Sequence, residues 1–233
     1  MNTKSTNTQK VKRLTIIALF CAMAFIVSVI LPIKVMFLTL DFKDTVSTIC
    51  GMFFGPVAGL FCAAVVPFIE FLYSDTGVYG LIMNLISSVT FVGVSTLIYK
   101  YKKSLSGAIA GLLTAACATV AVMLVANLFI TPYYMGVTQD AVIELIPKLI
   151  FPFNLVKSIL NAALSMLIYK PISKVLKKMG VAKSFSGSNA STVPTGGASA
   201  PSKTRSLIVT LASAVIAIAA LVVLFFVLGG KLA

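Results

Sequence analysis

Histidine and tryptophan are both missing from this 233-residue sequence, and its acidic residues number six against nineteen lysines and arginines. Without histidine the chain lacks the commonest metal ligand and the side chain that most often acts as general base near neutral pH. Charge itself is scarce. Only 11% of residues are charged, where a soluble domain carries about 25%. Several motifs are missing too. No GxxxxGKS/T phosphate loop occurs, so the chain does not draw on ATP by that route. No HExxH, no GxSxG and no paired intramembrane aspartates occur, which leaves an intramembrane hydrolase without a nucleophile or base. The four cysteines, Cys21, Cys50, Cys62 and Cys117, lie in apolar runs with no CxxC pair. They read as small core hydrophobes rather than redox groups or metal ligands. No cofactor, metal or catalytic residue is expected.

What is present is apolar: 59% of the residues are hydrophobic. The bilayer is therefore the solvent for most of the chain, and the cell membrane its expected location. The net charge of +13 is gathered in three places. Lys4, Lys10, Lys12 and Arg13 precede the first apolar run; Lys100, Lys102 and Lys103 form a second group; Lys170, Lys174, Lys177, Lys178 and Lys183 form a third. The acids Asp41, Asp44, Glu70, Asp75, Asp140 and Glu144 avoid all three. Positive residues collect on the cytoplasmic side of membrane spans. The charge thus reads as topology, with attraction to anionic lipid second and nucleic acid excluded as a partner.

Apolar runs place helices at about residues 14–32, 45–54, 57–72, 78–99, 105–130 and 143–169, with a connecting segment at 34–44. The first run is nearly twenty residues, long for the apolar part of a signal peptide, and reads as an uncleaved helix. Pro67 marks a kink in the third. Ten residues are too few for the second to cross roughly 30 Å of hydrocarbon without help from its neighbours, and a short helix beside an ordered outer loop points to a cavity opening outward. With the amino terminus cytoplasmic, six crossings put all three basic groups inside and Asp41, Asp75 and Asp140 outside. The expected fold is an all-α integral membrane protein, a six-helix transmembrane bundle plus an appended seventh transmembrane helix. Residues 1–13 are a cytoplasmic basic leader and 14–183 the six-helix membrane domain. Residues 184–206 have the Ser, Gly and Ala composition of a flexible linker, and 207–228 form the additional helix.

Polar residues inside apolar spans are costly and tend to mark pathways or binding sites. Asn154 and Lys157, in Phe151-Pro152-Phe153-Asn154-Leu155-Val156-Lys157, project from one helical face. Two readings stand for Lys157: contact with a bound solute, or a structural role by snorkelling or pairing with an acid. Asn127, before Thr131-Pro132-Tyr133-Tyr134, offers two donors and two acceptors to a flat heterocycle, or an interhelical hydrogen bond. Asn84 carries the same alternatives. The segment Leu38-Thr39-Leu40-Asp41-Phe42-Lys43-Asp44 reads as a lid or as an ordinary loop. Ala18 and Ala22 make a small-xxx-small face on the first helix, which permits close packing within the bundle or against a partner.

In order along the chain stand a basic leader, the Ala18-x-x-x-Ala22 helix, Leu40-Asp41-Phe42-x-Asp44 and Phe54-Gly55-Pro56-Val57-Ala58-Gly59. Asn127 before Thr131-Pro132-Tyr133 and the Pro152-to-Lys157 run follow. This ordered set resembles the substrate-binding S-components of energy-coupling factor (ECF) vitamin transporters, most closely their riboflavin-specific branch, over about residues 10–180. The resemblance implies a six-helix binder that captures a vitamin from outside. It would then join a transmembrane T-component and two cytosolic ATPase subunits, and topple to release its cargo. It implies Asn127, Asn154 and Lys157 as flavin-contacting groups, Thr39 and Leu40 near the ligand, and Ala18 and Ala22 as the docking face. There are departures. Ala63, Val66 and Pro67 stand where a glutamate and a polar pair are expected, Glu70 is the only acid of the third helix, and Lys43 replaces a small residue. Outside this reading, a stand-alone or ion-coupled carrier for a small heterocyclic vitamin, or a non-catalytic scaffold, fits the same composition.

Overall fold

The computed structural model describes residues 3–74 and 76–178, with Leu211 and Val215. The expected linker lies outside the described residues, as does the appended helix apart from those two positions. The chain enters through α1 (Thr3–Ile30), then forms a short antiparallel hairpin from β1 (Ile33–Val35) and β2 (Leu38–Leu40). Ile33 pairs with Leu40, Lys34 with Thr39 and Val35 with Leu38. The turn between the strands holds Met36 at φ 52°, the left-handed conformation that two-residue hairpin turns require. The segment read as a plain connection therefore contains a strand pair.

Two shorter helices follow, α2 (Lys43–Phe54) and α3 (Pro56–Phe71), joined at Gly55. Gly55 adopts φ 97°, open to glycine alone without strain, and Pro56 starts α3 where no helical partner for its nitrogen is needed. The two helices pack closely at Gly51 and Gly59. A Cβ on Gly59 would lie 2.7 Å from the Gly51 Cα.

The long helices come next. α4 (Gly77–Tyr101) leads to α5 (Leu105–Met135), whose first turn is capped by Ser104 accepting from the Gly107 amide at 3.1 Å. The apolar run set the end of this helix near residue 130, but it continues through Pro132 to a left-handed Gly136. The last rod, expected as one helix from 143, begins earlier and is interrupted. α6 (Gln139–Leu145) passes through a π-helical turn, Ile146–Ile150, into α7 (Phe151–Lys178). Pro147 falls inside that turn, and a widened turn relieves the clash of a proline ring with the preceding carbonyl.

Among the described residues, four stretches are long and apolar enough to cross a membrane: Lys10–Ile30, Gly77–Tyr101, Leu105–Met135 and Gln139–Tyr169. α3, at 16 residues, is apolar but shorter. The distribution of side chains is that of a protein in lipid. Leu19, Leu113 and Phe129 are more than half exposed, while Asp41, Lys43, Asn127 and Asn161 are almost fully buried. Backbone and side-chain polar groups have no water to turn to in hydrocarbon, so they gather inside.

Three apolar clusters frame the interior. Phe20, Cys21, Ile49, Cys50, Phe54, Ala58 and Cys62 join α1, α2 and α3. Three of the four cysteines are thus core residues, and Cys117 is exposed. A second cluster around Phe91, Leu112, Ala162 and Met166 joins α4, α5 and α7. The third seats the hairpin, through Val35, Leu38 and Leu40, on Leu149, Phe153, Val156 and Leu160. That contact sets the hairpin over the polar face of α7.

Candidate ligand site

Between the hairpin, α4, α5 and α7 lies an open cavity, lined by apolar and aromatic side chains with a few polar groups among them, the make-up of a small-molecule site. Its walls follow helical periodicity. α4 contributes Tyr79, Gly80, Met83, Asn84 and Ser87; α5 contributes Met123, Asn127, Ile130, Thr131 and Tyr134; α7 contributes Phe153, Asn154 and Lys157. Each set recurs at three- and four-residue steps, one face of each helix. The hairpin closes one side with Phe37, Leu38 and Thr39.

Five of the polar residues singled out from the sequence meet in this wall: Thr39, Asn84, Asn127, Asn154 and Lys157. Leu40 does not. Its side chain is fully buried in the apolar cluster beneath the hairpin, because alternation along a strand turns it away from Thr39. Ala18 and Ala22 are exposed on the outer face of α1, remote in role from the cavity.

Of the readings for Lys157, pairing with an acid is the one observed, in a residue that also stands in the cavity wall. It lines the cavity, and its ammonium donates to Asp41 Oδ2 at 2.9 Å and to the Thr39 carbonyl at 3.1 Å. An ammonium has three N–H donors, so one remains beyond these two bonds. Asp41 Oδ2 also accepts from Lys43 at 3.3 Å, and Lys43 donates to Glu70 Oε2 at 2.6 Å. Lys43 and Glu70, two departures from the family pattern, are thus partners of one another. Burial pushes the Asp41 carboxyl up, but the ammonium groups of Lys157 and Lys43 outweigh it and hold it at about 2.

Asn161, one turn beyond Lys157, was not singled out, yet it ties this corner together. Its Nδ2 donates to the Asp41 and Lys157 carbonyls, both at 3.1 Å. Its Oδ1 accepts from the Thr45 amide at 3.1 Å and the Thr45 hydroxyl at 2.8 Å. The clue was available in the spacing of Asn154, Lys157 and Asn161, which share one helical face.

The wall amides have defined orientations. Asn127 Nδ2 donates to the Met123 carbonyl at 2.7 Å, and its Oδ1 accepts from the Thr131 hydroxyl at 2.9 Å. Asn154 Nδ2 donates to the Ile150 carbonyl at 2.8 Å, at the end of the π-helical turn. A carbonyl only accepts, so in each case the nitrogen must face it and the amide cannot be turned over. The aromatic part of the wall escaped the sequence reading. Tyr79 and Tyr134 face each other across α4 and α5 with ring centroids 6.4 Å apart, and Phe37 and Phe153 add further ring surface. Stepping one turn either way from Asn84 would have found Gly80 and Ser87. The site holds aromatic faces and a few convergent polar groups, suited to binding a flat, polar-edged molecule. Among the described residues no group of three or more His, Cys, Asp or Glu side chains could hold a metal.

The chain is similar to known proteins over the same region. The family model for the ECF transporter substrate-specific component matches residues 12–173. The riboflavin transporter RibU of Staphylococcus aureus (strain TCH60) is 32% identical over 182 residues, covering 74% of this chain and 96% of that protein. The riboflavin transporter FmnP of Bacillus subtilis (strain 168) is 25% identical over 173 residues, covering 69% and 91%. A solved chain described as the S component of a bacterial ECF transporter superposes with a TM-score of 0.63 at 30% identity, covering 72% of this chain and 99% of that one. An apolar helical bundle with a polar-edged cavity under a hairpin, matched over nearly the whole of its relatives, belongs to the ECF transporter family as a substrate-specific component.

Proposed function

We propose that this S component binds riboflavin in the cavity beneath the hairpin and delivers it inward through partner subunits. The observation that carries the reading is the wall itself: one uncommitted Lys157 N–H, oriented amides at Asn127 and Asn154, and aromatic faces around one open cavity. An isoalloxazine ring offers flat faces to the aromatics and an edge of carbonyls, ring nitrogens and one imide N–H to the polar groups; ribityl hydroxyls complete the match. The riboflavin-transporting relatives support the same ligand.

In this reading the amino terminus is cytoplasmic, the cavity opens outward, and the chain is a binder rather than an enzyme. A transmembrane T-component and two cytosolic ATPases supply the work. The docking face is α1 around Ala18 and Ala22, which are exposed between larger apolar side chains such as Leu14 and Ile26.

Purified protein is expected to carry a yellow chromophore with quenched flavin fluorescence, and riboflavin is expected to saturate a single site. Absence of saturable binding would leave only a scaffold. Uptake into liposomes should require the coupling subunits; uptake by this chain alone would instead mark a stand-alone carrier. Ala18→Trp should abolish coupled transport while riboflavin affinity stays within about twofold. The basis is that an indole blocks close helix approach without reaching the cavity. Loss of binding in that variant would mean that this face packs internally.

A further inference from the structure

Glu70 lies on α3 outside the cavity wall, yet it holds a group that forms that wall. Its Oε2 accepts from the Lys43 ammonium at 2.6 Å and from the Asn84 amide nitrogen at 3.3 Å. A carboxylate accepts and does not donate. The contact therefore decides which way an otherwise reversible amide faces. Asn84 Nδ2 is committed to α3, which leaves Oδ1 as the amide atom available to a ligand in the cavity that Asn84 lines. Lys43 is buried and is the ion-pair partner of Glu70 at 2.6 Å.

We propose that Glu70 is a specificity-determining positioning residue: it presents Asn84 to the ligand as a hydrogen-bond acceptor and so selects a ligand edge that donates. The inference rests on the flavin reading, in which an imide N–H and ribityl hydroxyls are the donors. It also gives the cavity a polarity. Lys157 on α7 offers a donor and Asn84 on α4 an acceptor, so an asymmetric heterocycle fits in one sense only.

Glu70→Gln keeps the shape but adds a donor, which allows the Asn84 amide to turn over. Riboflavin Kd, measured by fluorescence quenching, is expected to rise about tenfold in Glu70→Gln and in Asn84→Ala. The double variant should be no weaker than Asn84→Ala alone. Lys43→Met/Glu70→Gln removes both charges and should recover the unfolding temperature without recovering affinity. Multiplicative effects in the double variant, or full affinity in Lys43→Met/Glu70→Gln, would overturn the proposal by reducing Glu70 to a counter-ion. A ligand-free measurement separates this from the flavin reading. In ¹⁵N-asparagine-labelled protein, the Asn84 side-chain amide protons should move upfield in Glu70→Gln; unmoved resonances overturn the positioning role. Moved resonances in a protein that does not bind riboflavin uphold it and reject the ligand.

Discussion

Asp41→Ala is expected to lower the stability of the ligand-free protein by about 3–5 kcal/mol, the largest loss of any single substitution considered. Asp41 Oδ2 accepts from two ammonium groups in the interior, Lys157 at 2.9 Å and Lys43 at 3.3 Å. Removing it leaves Lys157 hydrogen-bonded to the Thr39 carbonyl and without its direct ion-pair partner, and stripping a buried cation of that partner costs more than the lost contact. Lys43 suffers less because Glu70 remains. Asp41→Ala/Lys157→Met, which withdraws the charge with its partner, should regain much of the loss. Chemical unfolding in detergent reads the effect, and a loss below about 1 kcal/mol would place the pair in the class of solvated surface bridges.

The same carboxylate has a pH signature. Its folded pKa, about 2, lies below the ordinary 3.8. The sign is that of a depressed acid: its contribution is complete above about pH 4 and is lost as the pH falls toward 2. Wild-type stability should therefore drop over that window by an amount that Asp41→Ala lacks. Endosomal or mildly acidic conditions leave the pair intact.

Lys157→Ala is expected to weaken riboflavin binding by about 10- to 100-fold, the range for loss of one hydrogen bond from a charged group. It should cost less stability than Asp41→Ala, since Asp41 keeps Lys43. Affinity and stability thus part company between the two variants. Asp41→Ala strikes mainly at the fold; Lys157→Ala strikes mainly at the ligand. Asn154→Ala, which removes a neutral partner, should weaken binding by about fivefold. Unchanged riboflavin affinity in both Lys157→Ala and Asn154→Ala would remove this face of α7 from the site.

Much of this site was visible before any coordinates, for an energetic reason. Asn84, Asn127, Asn154 and Lys157 stand in apolar runs, where an unpartnered polar group is expensive, and all four line one cavity. The aromatic half was not visible, because Tyr79, Tyr134 and Phe153 are ordinary in a membrane helix and only their facing shows a wall. The hairpin was missed although Ile33-Lys34-Val35 and Leu38-Thr39-Leu40 alternate with period two; three-residue strands are too short to stand out from a loop. Leu40 illustrates the same limit. Its neighbour Thr39 reaches the cavity and Leu40 does not, a difference of one residue in register.

By itself the sequence determined the solvent and the broad plan. Its apolar runs demanded lipid, and its few buried polar residues had to face inward, because hydrocarbon offers nothing to hydrogen-bond. What they face was decided only in three dimensions. Lys157 meets Asp41 across 116 residues of chain, and Lys43 meets Glu70 across 27. No local periodicity encodes such pairings. They exist because the hairpin seats on α7 and α2 folds back against α3 at Gly51 and Gly59, bringing charges together where each is worth holding only if the other is there.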